Sequence, residues 1–136
     1  MKILHINGTC HGGAANVTER IHEALINKNV ESHVYLPFKK DIKNVISPKN
    51  TLGELLNIIK PSIIRKFSKI FGNSSNESSS IAIFPSNIKK IIENLKPDIV
   101  NLYWTGNEII SLRDIDKIDC PIVWTLLDMW PFLGAE

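Results

Sequence analysis

Three groups of residues in this 136-residue chain are of types that can do chemistry. The first is the turn Gly8-Thr9-Cys10-His11-Gly12-Gly13. Glycines let backbone N–H groups approach a phosphate, and a helix beginning behind them favours negative charge. The specific phosphate motifs are not met. Gly8, Gly12 and Gly13 do not make G-x-G-x-x-G, and Ala14 and Ala15 stand where a P-loop needs Lys and Ser/Thr. A dinucleotide enzyme and a P-loop ATPase are therefore disfavoured. The competing explanation is a strand-to-helix turn in which glycine supplies a positive φ. The second group is Asp128-Met129-Trp130-Pro131-Phe132, behind an apolar run. Aromatic rings there can line a sugar or nucleotide pocket, or equally close a core. The third is four histidines, His5, His11, His22 and His33, in the first quarter of the chain. They lack metal-ligand spacing and a Cys or carboxylate cluster, which favours ordinary core or surface histidines over zinc ligands. Cys10 and Cys120 are far apart and form no metal-type pair, so a reducing cytoplasm is the simplest setting.

The elements that must position these residues follow from periodicity. Residues 2–7 read as a short buried strand and residues 14–28 as a helix with Val17, Ile21, Ala24 and Leu25 inward. Residues 32–36 read as a second strand. Strand, glycine turn, helix and strand make a βαβ unit and hence a parallel sheet. Residues 52–59 and 62–71 are helical in pattern, with Pro61 between them. Residues 72–80 are a polar, low-complexity loop. A short strand is expected at 81–84, and a helix at 87–96 with Ser86 as its N-cap. A strand at 98–103, a short helix at 111–118 and a strand at 121–126 complete the chain. The apolar run of the last strand predicts burial on both faces. The fold class is α/β, a Rossmann-like parallel sheet with flanking helices.

Hydrophobic residues make up 43% of the chain, enough for the core of one compact domain. Net charge is +2, which gives no support for nucleic-acid binding by bulk charge. No signal peptide pattern and no membrane-spanning run is present. Charge is uneven, however. Residues 39–69 hold eight basic and two acidic residues, beside an apolar stripe of Ile63, Ile64, Phe67, Ile70 and Phe71. Peripheral contact with an anionic membrane through residues 60–71 is one reading; a helix packed on the sheet with a solvated basic face is the other.

The string from Trp124 to Gly134, W-T-L-L-D-M-W-P-F-L-G, resembles a block in the N-terminal domain of group 1 (family-four type) glycosyltransferases of bacteria. Three further segments agree in order and spacing. M-K-I-L-H-I-N with Gly12-Gly13-Ala14-Ala15 is similar to the family's first strand and acceptor-side loop. Residues 96–106, K-P-D-I-V-N-L-Y-W-T-G, resemble its central strand and loop. Ser111 to Ile115 resembles the short helix after it. The similarity covers nearly the whole chain and is weakest over residues 39–80.

The resemblance implies a GT-B architecture, of which residues 1–136 would be a partial N-terminal, acceptor-side domain. It implies transfer of a sugar from a nucleotide-sugar co-substrate to a glycan or lipid-linked acceptor, with retention and without a cofactor or essential metal. Cell-surface polysaccharide synthesis, such as lipopolysaccharide, at the cytoplasmic side of the membrane is the implied setting. Carried over by position, Asp128 is the catalytic residue, and Gly12, Gly13, Tyr103, Trp104 and Trp130 contact substrate. Two positions depart from the pattern. Leu127 stands where the family has histidine, and Asn101-Leu102-Tyr103-Trp104 replaces H-L-H-W. Leucine cannot support developing charge, and Asn and Tyr lack the acid–base range of histidine. The sequence ends at Glu136, ahead of the family's donor domain, so the chain alone is expected to show no transfer. A gene fragment or degenerate copy is one expectation. A non-catalytic binding module that pairs with a separate donor-domain chain is the alternative, and an unrelated flavodoxin-like domain is disfavoured.

Overall fold

The computed structural model describes residues 1–48, 55, 59–60, 62–63, 66, 82, 84, 86–128 and 132. Their elements are β1 (Lys2–Ile6), α1 (Gly12–Asn27), β2 (Glu31–Tyr35), β3 (Val45–Ile46), α2 (Ile88–Leu95), β4 (Ile99–Leu102), α3 (Leu112–Ile115) and β5 (Ile122–Trp124). The strands form one sheet in the order β3-β2-β1-β4-β5, and every neighbouring pair is parallel. The chain works outward from β1 to β3, then returns to the other side of β1 at β4. The strand order reverses between β1 and β4, the place where ligands bind in open α/β sheets. This is the α/β, Rossmann-like parallel sheet with flanking helices that the βαβ pattern predicts.

The two sides of the sheet differ in chemistry. Leu4 and Ile6 of β1, Tyr35 of β2, and Val100 and Leu102 of β4 pack with Ile88 of α2 and with Ile109 and Ile110. Ile91, Ile92 and Leu95 of α2 close over that cluster. Successive strand residues point to opposite faces, so His5, Asn7 and Asn101 turn the other way. That side is covered by α1, whose buried residues are Ala15, Thr18 and His22. The sequence pattern put Val17, Ile21, Ala24 and Leu25 inward. Instead Val17, Ile21 and Leu25 are half-buried and Ala24 is exposed. The line facing the sheet carries a hydroxyl and an imidazole because the strands beneath it carry polar groups.

Helix ends follow local chemistry. Asn29, at φ 60, ends α1, and its N–H donates to the Ile26 carbonyl. Lys96, at φ 49, ends α2 ahead of Pro97. Ser86 has the expected capping role in part: Asn87 is the N-cap residue, and the Ser86 hydroxyl accepts from Ile88 N–H at 3.3 Å. Ser111 caps the single turn of α3 by accepting from Asp114 N–H.

Three expectations need correction. The short strand at 81–84 fails at Ala82, whose φ of 54 is left-handed. Ala82 is held there because its N–H donates to the carboxylate of buried Glu108 at 2.9 Å. The strand β3, two residues long, has no counterpart in the expected elements. The last strand is not buried on both faces. Ile122 is 38% and Val123 48% exposed, because β5 is a sheet edge and no described element covers it. The loop at 72–80 lies outside the described residues, as does most of the basic segment at 60–71. Within that segment Lys60, Ser62, Ile63 and Lys66 are helical. Among the described residues, no helix is long and apolar enough to cross a membrane.

Candidate functional site at the carboxyl edge of the sheet

All five strands end on the same edge, so the segments after β1, β4 and β5 meet there. Gly8 joins the first two. Its N–H donates to the Trp104 carbonyl at 2.7 Å. A Cβ on Gly8 would meet the Gly106 carbonyl at 2.5 Å and that of Trp104 at 3.0 Å. Glycine is needed here for close backbone approach. The Trp104 ring packs on Gly106 so closely that a Cβ at that position would strike it. Trp104 is half-buried and fixed beside the β1 turn.

Gly12 and Gly13 differ from Gly8. They open α1, both are exposed, and a Cβ on either would meet nothing within 4 Å. Gly12 has a φ of +80, so the positive-φ explanation of the turn holds at that one residue. His11 is the N-cap in extended conformation, with no side-chain cap, and the first turn has no acidic residue. The first N–H groups of a helix have no partner within the helix, and the end carries partial positive charge. The start of α1 therefore presents uncapped donors to open space.

Below that turn lies Asn7, fully buried. Its amide donates to the Thr18 hydroxyl at 3.0 Å, and that hydroxyl donates to the Ala14 carbonyl at 2.8 Å. A hydroxyl has one proton, so the Asn7 amide cannot be reversed. Its Oδ1 is left without a hydrogen bond.

The α1 side of the sheet holds a continuous hydrogen-bonded chain. His22 Nε2 meets the Lys43 carbonyl at 2.8 Å, and its Nδ1 meets the Ser32 hydroxyl at 2.7 Å. Ser32 also meets His5 Nε2 at 3.0 Å, and His5 Nδ1 meets the Tyr103 hydroxyl at 3.0 Å. Asn101 donates to the Tyr103 oxygen at 3.0 Å, and Thr125 donates to Asn101 Oδ1 at 3.1 Å. A carbonyl only accepts, so His22 Nε2 carries the proton and Nδ1 accepts from Ser32. Ser32 must then accept from His5 Nε2–H, and His5 Nδ1 accepts from the Tyr103 hydroxyl. With both imidazoles neutral, one carbonyl sets the direction of six hydrogen bonds. Burial, then the neighbouring His22, lowers the His5 pKa to about 4. Burial also lowers that of His22. Burial pushes the Tyr103 phenol up to about 12.

The expected site residues therefore divide. Gly12, Gly13, Trp104 and Asp128 lie at the carboxyl edge. Tyr103 is 2% exposed, and its hydroxyl is engaged by His5 and Asn101, so it braces the site from below. Asp128 is half-buried beyond β5, next to a 39% exposed Leu127. Trp130 lies outside the described residues. The sequence marks His5 and His22 only as ordinary core or surface histidines, and its patterns do not single out Asn7, Ser32 and Thr125. The available signal was polar residues at alternate positions of β1 and β4, which mark an inward face that is not oily.

Comparison with protein-family models and with curated proteins gave no match.

Proposed function

We propose that this chain is the acceptor-side, N-terminal part of a sugar-nucleotide-dependent retaining glycosyltransferase for cell-surface polysaccharide. The observation that carries this reading is the uncapped glycine start of α1, open to solvent beside the point where strand order reverses. Exposed backbone donors at a helix start suit a diphosphate. A half-buried indole at the same edge suits a sugar face, and the block that resembles the family begins at Trp124 in β5.

Chemistry in such a site needs donor and acceptor held together. In this reading Gly12 and Gly13 approach the diphosphate, Trp104 and Trp130 contact sugar, and Asp128 faces the reacting centre. Tyr103 and Asn101 hold the loop behind them. Leu127 offers no hydrogen bond or charge where the resembled family has an imidazole, which favours a binding role for this chain over full catalysis.

The test is a transfer assay with a radiolabelled nucleotide-sugar and a bacterial lipid extract, run beside saturation-transfer NMR on the same extract. The chain alone gives no turnover above blank but contacts glycan, and Trp104→Ala removes that contact. Turnover by the chain alone would exclude the binding-only role. Absence of any glycan contact would remove the acceptor-side assignment.

A further inference from the structure

Across the sheet from the α1 glycines, a cleft of about 510 Å³ runs between α2 and the ends of β2 and β3. Its size is in the range of small-ligand sites. The floor is Tyr35, Ile46, Ile91 and Leu95. Tyr35 is only 5% exposed and lines the cleft, and its hydroxyl is not among the fully enclosed polar atoms without a partner. A hydroxyl in the floor of a cleft can donate to, and accept from, an occupant seated there. Burial raises the Tyr35 pKa, so the phenol stays neutral and can both donate and accept.

The rim supplies the matching chemistry. Asn87, Lys90 and Asn94 lie along one face of α2 and line the cleft, with Ser47 opposite. Two amides and a serine hydroxyl donate and accept at once, which is what pairs of ring hydroxyls require. Lys90 adds one positive charge, and among the described residues no carboxylate lines the cleft. The apolar floor fits the face of a ring.

We infer that this cleft binds a hydroxylated ring of mono- or disaccharide size bearing one anionic group. The cleft and the α1 glycines lie on opposite faces, so this assignment does not depend on the proposed glycosyl transfer.

The test is a ¹H–¹⁵N titration of the whole chain with glucuronate, glucose 6-phosphate, glucose and inorganic phosphate. Both acidic sugars should shift the amides of Ser47, Asn87, Lys90 and Asn94 saturably and leave Gly12 and Gly13 unmoved. Tyr35→Phe removes one oxygen, and Asn94→Ala alters an exposed rim residue; each should weaken binding about fivefold, the worth of one hydrogen bond. Glucose should bind more weakly than either acidic sugar. Equal shifts with inorganic phosphate alone, unchanged affinity in both variants, or no shifts at the cleft would overturn the assignment.

Discussion

Acidification should weaken this fold well before its carboxylates titrate, and His5 should be the main cause. The folded His5 pKa is about 4, against 6.5 for the free side chain. Between those values the unfolded chain binds a proton that the folded chain does not. The stabilisation is therefore complete above pH 6.5 and is lost as pH falls toward 4. For a shift of that size the loss is about 2 kcal/mol at pH 5 and about 3 kcal/mol at pH 4. His22 is shifted in the same direction by burial and adds to the slope. Asp114 has its folded pKa lowered from 3.8, with its own burial opposing and its bonds to Ser111 and Ser86 prevailing. It therefore loses its contribution at lower pH than the histidines do. Urea unfolding followed by circular dichroism at pH 7.5, 6.5, 5.5 and 5 samples the histidine window and stays above that of Asp114. His5→Gln keeps an amide donor for Ser32 and removes the titration. It should cost about 1–3 kcal/mol at pH 7.5 through poorer pairing and flatten the slope between pH 6.5 and 5. A wild-type stability that is level over that interval, or a His5→Gln slope equal to wild type, would refute the neutral-histidine chain.

Gly8→Ala should destabilise by about 2 kcal/mol or more, because the new methyl meets backbone that cannot turn aside. Gly13→Ala should leave urea stability unchanged or raise it by up to about 1 kcal/mol, since the position is open and helical. Tyr103→Phe leaves His5 Nδ1 and the Asn101 amide without their partner and should cost about 1–3 kcal/mol in the same assay. Val123→Lys places a charge on the exposed edge strand, and light scattering should show less self-association at unchanged stability.

The parallel sheet and the helix behind the glycine turn were legible because strong local signals agree there. Ile3, Leu4 and Ile6 precede a glycine turn, and helical spacing follows it. The interior of that unit was not legible. Periodicity reads Val17, Ile21, Ala24 and Leu25 as the buried stripe, yet Ala15, Thr18 and His22 face the sheet. That choice depends on Ser32 and His5, which meet His22 of α1 only after β1 and β2 have paired. The same limit applies to β5. An apolar run looks the same whether or not anything covers it, and Ile122 and Val123 are exposed because neighbours, not composition, decide burial. Ala82 is a third case. Its left-handed backbone is set by the Glu108 carboxylate, 26 residues away in sequence. At the start of α1, Gly12 is legible from sequence because its positive φ suits glycine, whereas Gly13 is open and helical and has no such requirement. The resemblance makes Tyr103 a substrate contact, and in the fold its hydroxyl lies between His5 and Asn101.

In the proposed function the start of α1 receives the diphosphate of a nucleotide-sugar. The most direct measurement follows the amide resonances of Gly12, Gly13 and Ala14 while uridine diphosphate, and separately uridine, is added. Saturable shifts of those amides with the diphosphate and none with the nucleoside are predicted. Shifts that are equal for both, or absent from these three residues, would contradict it.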